Sequence, residues 1–351
     1  MTSASSTSGR PGLSLGSRVV PVAGGLLRFV ARADVYLILL GLGALATLAS
    51  PSFLTAGNIG NLLTQSALLG ILSIAQFLVV LIGGYDLSVA AIMALASVIL
   101  ARLTGSGMPS LGIGPMWLPA SATVAVAAGA ACGIANGLFV NVGRVQPLIA
   151  TLAMMGIARG LAFTVSESSI LVHDPLLARI ARLSSDTVVS VPVLVWLALA
   201  VTASWWCRGT RPGRHAYAVG GSEASARLAG VRADRIKLGI YGTSGLLSGI
   251  AGTVLVLRSQ SGVPNVGVGW ELDTIASIVI GGTKLFGGEG SLPKAMAGVL
   301  IYQMIANVMN LTGVDPFYQS MVRALVIILA VGLSVLRQSV GSRRAVQGRR
   351  S

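Results

Sequence analysis

RGTRPGRHAYAVGGSEASARLAGVRADRIK, residues 208–237, sets thirty mostly polar, strongly basic residues inside an otherwise apolar chain. On either side the sequence reads as lipid-embedded helix. Basic charge of this density between apolar segments assigns the stretch to the cytoplasm. It is also long enough to hold a short helix that a partner could grip.

The 351 residues are 54% hydrophobic and only 10% charged, against roughly 25% charged in soluble domains. The fold class is therefore an all-α, polytopic membrane protein. The net charge of +14 comes from 25 Lys and Arg against 11 Asp and Glu. These basic residues flank apolar segments, so they describe topology rather than a patch for nucleic acid. Cys132, Cys207, His173 and His215 are too few and too scattered for a disulfide framework or a metal centre.

A span needs about 20 apolar residues to cross a core of roughly 30 Å. Ten segments qualify, near 34–52, 66–83, 87–104, 120–141, 147–167, 188–207, 237–258, 272–286, 292–312 and 318–337. Pro147, Pro192 and Pro293 stand at segment starts, where a missing N–H costs nothing. With the N-terminus inside, 19 basic residues fall on the cytoplasmic side. Arg102, Arg179, Arg182, Arg258 and Arg323 fall outside, and Arg159 lies within a span. That asymmetry puts both termini in the cytoplasm. The expected layout is a flexible basic tail over 1–33, a transmembrane domain over 34–337 with its cytoplasmic loop at 208–236, and a second basic tail over 338–351. Ala44-Leu45-Ala46 resembles a signal-peptidase site, but the many later spans favour retention of the first helix.

Gly129, Gly133 and Gly137 recur every four residues, as do Gly245 with Gly249 and Gly156 with Gly160. Such faces let helix backbones touch where lipid supplies no hydrophobic drive. Gly83-Gly84 and Gly281-Gly282, 198 residues apart, both interrupt apolar runs. Glycine breaks in matching halves mark binding sites in some transporters, and an internal repeat is open on so short a match.

No phosphate-binding loop occurs, since GGTK at 281–284 lacks the spacing. Any ATP must be hydrolysed by another subunit. Within 208–237, Ser222 is placed to cap a helix, Glu223 suits its first turn, and Gly230 suits the residue beyond its end. The enclosed EASARLA is too short to persist alone, and Ala224 and Leu228 share one side. These features leave two readings open: a topogenic loop, or a handle.

GRHAYAVGGSEASARLAGV, the core of that loop, closely resembles the loop of ribose-type ABC importer permeases, usually GRxxYAxGGNxxAAxLxGI. GGYDLSV at 83–89, VQPLIATLAMMGIARGLAF at 145–163, GGTKLFGGEGSLPKAMAGVLI at 281–301 and GVDPFYQSMVRALVIILAV at 313–331 match the same family in order. The resemblance covers about 60 to 337. It implies ten spans in a bacterial inner membrane, a second permease copy, ABC ATPase subunits that bind the ATP, and an extracytoplasmic substrate-binding protein delivering a monosaccharide. It also implies that Gly220, Gly221, Ser222, Glu223, Ala224, Arg227 and Gly230 form the ATPase contact. Ser222 departs from the usual Asn, and Lys284, Glu289, Lys294 and Ala295 depart within the inner loop before the ninth span.

Candidates for the translocation path are Asp86, Arg159, Asn136, Gln303 and Asn307, with Asn141 and Asn310 extending the polar stripes. Each has a bland alternative. Asp86 suits a helix start. Arg159 must face protein or water, because an arginine at mid-bilayer costs about 2.5–3.5 kcal/mol. The amides suit helix–helix hydrogen bonds. Family members also carry nucleosides and other non-sugar solutes. An ion-gradient-driven secondary transporter would want buried carboxylates, and Asp86 reads as the only acidic residue near a span interior. A membrane-embedded enzyme would want paired carboxylates or histidines within the bilayer, which the sequence lacks.

Overall fold

The structure, a computed structural model, describes residues 21–185, 189–329 and 332. In chain order its helices are α1 (Pro21–Ala49), α2 (Ala56–Leu81), α3 (Val89–Gly105), α4 (Leu118–Asn141), α5 (Pro147–Val165), α6 (Pro175–Ser185), α7 (Val191–Gly209), α8 (Arg211–Gly221), α9 (Glu223–Leu228), α10 (Ala233–Ser259), α11 (Trp270–Ile280) and α12 (Leu292–Leu311), then α13 (Pro316–Leu329). A two-residue antiparallel pair joins Ile170–Leu171 to Ser261–Gly262. The chain divides after Asp34 into two units, and the second, Val35–Ser351, holds the helix bundle. The C-terminal tail expected over 338–351 and residues 1–20 of the N-terminal one lie outside the described residues.

Among the described residues, six helices (α2, α4, α5, α7, α10 and α12) are long and apolar enough to cross a membrane. Val35–Ala49, α3 and α13 are shorter apolar helices. Each of the ten apolar segments read from sequence coincides with a helix. α2 starts ten residues earlier than expected, because Thr55 caps it by accepting the Asn58 N–H. α5, α7 and α12 carry proline in their first turn as expected.

α2 is the hub. Every residue from Ser66 to Ile82 is buried, as suits a helix apolar all round. It packs against α7, α10, α11 and α12. Gly70 admits the Trp196 indole, which donates to the Met296 sulfur at 3.2 Å and ties α7 to α12.

The glycine faces of α4 and α10 meet backbone to backbone. A Cβ at Gly133 would lie 2.3 Å from the Tyr241 carbonyl oxygen, and one at Gly245 would lie 2.3 Å from that of Gly129. The third face is different: a Cβ at Gly156 or Gly160 would meet nothing within 4 Å, so the expected packing of that pair is not made among the described residues.

The two glycine breaks are the same device, a helix end closed by a left-handed residue. Gly83 (φ 77°) donates to Val80 and Gly84 to Val79; Gly282 (φ 82°) donates to Val279 and Thr283 to Ile278. Gly83 therefore corresponds to Gly282, one residue later than the sequence spacing suggests. Gly281 has ordinary helical φ and is small because a Cβ there would lie 2.5 Å from the Ala295 Cα.

Gly133→Leu is expected to lower the melting temperature of the detergent-purified protein, since overpacking a full interface costs about 1–3 kcal/mol. Gly156→Leu is expected to leave it unchanged. Equal melting temperatures for the two variants would contradict the α4–α10 packing.

Candidate functional site

The loop at 208–237 folds into α8, α9 and the first turn of α10. Thr210 closes α7 by donating to the Trp206 carbonyl at 2.7 Å, and opens α8 by accepting the Gly213 N–H at 3.2 Å. Tyr217 on α8 donates to the Gly290 carbonyl at 3.0 Å. At the end of α8 the backbone of Gly220 presses on the end of α2. A Cβ there would lie 1.9 Å from the Leu81 carbonyl oxygen and 2.5 Å from the Gly288 nitrogen. That same Leu81 oxygen accepts the Gly288 N–H at 3.0 Å. Gly287 and Gly288 both have positive φ, and a Cβ at Gly288 would lie 2.7 Å from the Gly221 Cα. Three glycine pairs (83–84, 220–221 and 287–288) thus meet where the hub helix ends. The spacing of the pairs in sequence carries no sign of this.

Ser222 then starts α9, accepting the Ser225 N–H at 3.2 Å. Gly230 ends it with φ 81°, donating to Arg227, while Val231 donates to Ala226. Ala226 faces inward at 4% exposure, Leu228 faces outward at 91%, and Ala224 is exposed. The helix is held by charge. Arg227 donates to Glu223 at 2.9 Å and forks onto both oxygens of Asp234, at 3.0 and 2.5 Å. Lys237 on α10 grips the other Glu223 oxygen. Exposed pairs add little stability; here they fix orientation. Across a polar cavity of about 550 Å³, Arg144 and Gln146 of the α4–α5 connection face this clamp. Asn141, read as part of a polar stripe, instead donates to the Asp234 carbonyl at 3.0 Å. Lys237 and Asp234 do not stand out in the sequence, since seven- and fourteen-residue separations across a turn give no local signal.

The path candidates fall into separate clusters. Asp86 is fully buried; one oxygen accepts from the Ser88 N–H and hydroxyl, the other from Ser244 at 2.7 Å. Asn136 donates to the Ser88 hydroxyl at 2.9 Å. Asp86 and Asn136 therefore belong to one network joining α3, α4 and α10. Arg159 donates to the carbonyls of Pro264 and Val266, at 2.7 and 2.8 Å, and so holds the connection before α11. Asn307 exchanges reciprocal amide bonds with Asn58, at 3.0 and 2.8 Å, tying α12 to α2. Asn310 accepts from Gln319 at 2.9 Å. Gln303 is half-buried and joins none of these groups. The sequence reading of Asp86 as the only acidic residue near a span interior is corrected by Asp273. Asp273 on α11 is buried and accepts the Tyr302 hydroxyl; the carboxylate sits in the first turn of a helix that starts at Trp270, not at a loop edge.

Hydrogen bonds from Lys237 first and Arg227 next hold the Glu223 carboxyl below its ordinary range. A depressed carboxylate stabilises the fold above its unfolded value of about 4.3, and that contribution is lost as pH falls through the folded value. The protection factors of the α9 amides, their exchange rates divided into the intrinsic rates at each pH, are expected to fall below about pH 4 and to be highest at neutral pH. In Glu223→Gln the acid step should shrink to the part that Asp234, whose carboxyl Arg227 also holds low, contributes; an unchanged step would show that Glu223 does not clamp α9.

Residues 58–331 match the family described as "Branched-chain amino acid transport system / permease component". The chain is 37% identical over 303 residues to the ribose import permease of Escherichia coli K12, covering 84% of this chain and 90% of that one. It is 33% identical over 328 residues to an L-arabinose ABC transporter permease of Azospirillum brasilense, covering 92% and 93%. It is 30% identical over 348 residues to a fructose import permease of Bifidobacterium longum, covering 95% of each. No solved structure matches. With a family match over most of its length and relatives aligned nearly end to end, the chain belongs to this permease family, as a multi-pass membrane subunit of an ABC importer and not itself an enzyme.

Proposed function

We propose that the chain carries a monosaccharide across the inner membrane by alternating access, driven by ATP that a separate ATPase subunit binds and hydrolyses. The relatives' sugars support the substrate class: ribose, L-arabinose and fructose. On this reading the ten apolar helices span the bilayer with both termini in the cytoplasm, in line with the excess of Lys and Arg on that side. A second permease copy completes the pore, and an extracytoplasmic binding protein supplies the sugar and sets its identity.

The observation that carries the mechanism is the state of α9. Six residues are too few to hold a helix by themselves. α9 is nonetheless capped at both ends and clamped from one side, with Leu228 standing 91% exposed on the other. An exposed leucine on an externally braced helix is a docking knob. Gly220, Gly221, Ser222, Glu223, Ala224, Arg227 and Gly230 shape and support it. When the ATPases close on ATP, α9 is drawn with them, and the glycine contact at Leu81 passes the displacement to α2. The network around Asp86 and Asn136, the Asn58–Asn307 pair and the Arg159 carbonyl contacts act as locks between helices that move as rigid groups.

Leu228→Asp is expected to abolish co-purification of the ATPase and ATP-dependent sugar uptake in vesicles, with an unchanged melting temperature because the side chain stands in solvent. Deleting residues 222–230 should likewise leave uptake uncoupled from ATP. Uptake at the normal rate in either variant, or uptake that survives ATP depletion and collapses with the proton gradient, would refute this mechanism.

A further inference from the structure

Two apolar grooves flank α7, and each ends, on the side of the α8–α9 loop, in one tryptophan and one arginine. The first, about 740 Å³, carries Trp205 and Arg208, and Arg208 is already engaged, donating to the Ser291 hydroxyl at 3.0 Å. The second lies between α7 and α10, is floored by Leu78 of α2, and ends at Trp206 and Arg235. Arg235 is exposed and makes no ion pair among the described residues.

We propose that this second groove holds one anionic phospholipid of the leaflet on the α8–α9 side, its acyl chain along α10 and its phosphate on Arg235. The groove's volume of about 400 Å³ falls in the range of small-molecule sites, roughly 300–1,000 Å³. Its wall runs along α10 from Arg235 to Leu247. Twelve residues of helix rise about 18 Å, which is slightly more than half of a hydrocarbon core of roughly 30 Å. The groove is therefore one leaflet deep. The hydroxyls in its lining, on Thr202 and Thr243, bond back to Ala198 and Gly239 of their own helices, leaving the walls apolar and unsuited to a sugar. Gly239 opens the middle of the groove, since a Cβ there would meet nothing within 4 Å. Tryptophan and arginine together sit where acyl chains give way to head groups. An arginine at that depth with no carboxylate on it fits a single phosphate, and basic pockets between spans hold anionic head groups in this manner.

The test is native mass spectrometry of the intact transporter, reconstituted in nanodiscs of equal phosphatidylglycerol and phosphatidylethanolamine. One arginine near the surface is worth about 1 kcal/mol toward an anionic lipid, so retained phosphatidylglycerol should exceed phosphatidylethanolamine about fivefold. Arg235→Gln should abolish that preference and Arg235→Lys should keep it. A Cβ at Gly239 has open space around it, so Gly239→Phe places its ring in the groove and should remove the retained lipid of both classes. Preference persisting in Arg235→Gln, or lipid retention unchanged in Gly239→Phe, overturns the proposal. So does efficient disulfide crosslinking of Thr243→Cys between two copies, which would make the groove a subunit interface.

Discussion

The Leu81 carbonyl oxygen is the point on which the inner end of the structure turns. A helix end buried among apolar neighbours leaves carbonyls that water cannot reach, and an unmade bond there is costly. Here the Gly288 N–H closes that oxygen, while the Gly220 backbone packs against the same atoms. Neither contact tolerates a Cβ. The central helix, the end of α8 and the 286–290 loop therefore move as one body, and whatever pulls on α8 and α9 pulls on the hub of the bundle.

Three polar groupings inside the bundle fasten its helices. Asp86 gathers Ser88 and Ser244, and through Ser88 reaches Asn136, so three helices share one buried carboxylate. Asn58 and Asn307 exchange amide bonds across α2 and α12, and Asn58 also donates to the Phe53 carbonyl. Arg159 spends its guanidinium on two carbonyls. Protein partners replace the water that these groups lose in the membrane interior, and they join helices that must keep their relative positions while others shift. Apolar surface at the rim of the same bundle serves a different purpose: the α7–α10 groove meets lipid, where its depth and its arginine define a leaflet.

What can be read from the sequence is local. Ser222 and Gly230 are legible as the two ends of a helix because cap chemistry depends on a few neighbouring residues. The ten apolar segments are legible because hydrocarbon thickness sets their length. The α4 and α10 glycine faces are legible from a spacing of four. Other features depend on partners far along the chain. Gly287 and Gly288 meet Gly220 and Gly221 only after folding, and nothing near Lys237 announces its bond to Glu223. The start of α2 is hidden because AGNIGNLLTQS reads as a polar loop, although it forms helical turns behind the Thr55 cap. Gly156 and Gly160 look like a packing face yet meet nothing among the described residues, since a spacing identifies a smooth surface without naming what lies on it. Asp273 escapes notice because it is the second residue of the apolar segment at 272–286 and reads as its edge, whereas the fold buries it in the first turn of α11.

The central claim is that α9 presents Leu228 to an energising subunit while Ala226 faces the permease core. The most direct measurement is site-specific photo-crosslinking in native membranes, with a benzophenone side chain at 228 and, as the control, at the similarly exposed Phe317. The account requires a strong adduct from 228 to a nucleotide-binding protein and none from 317. The absence of such an adduct from 228, or its equal appearance from both positions, would contradict it.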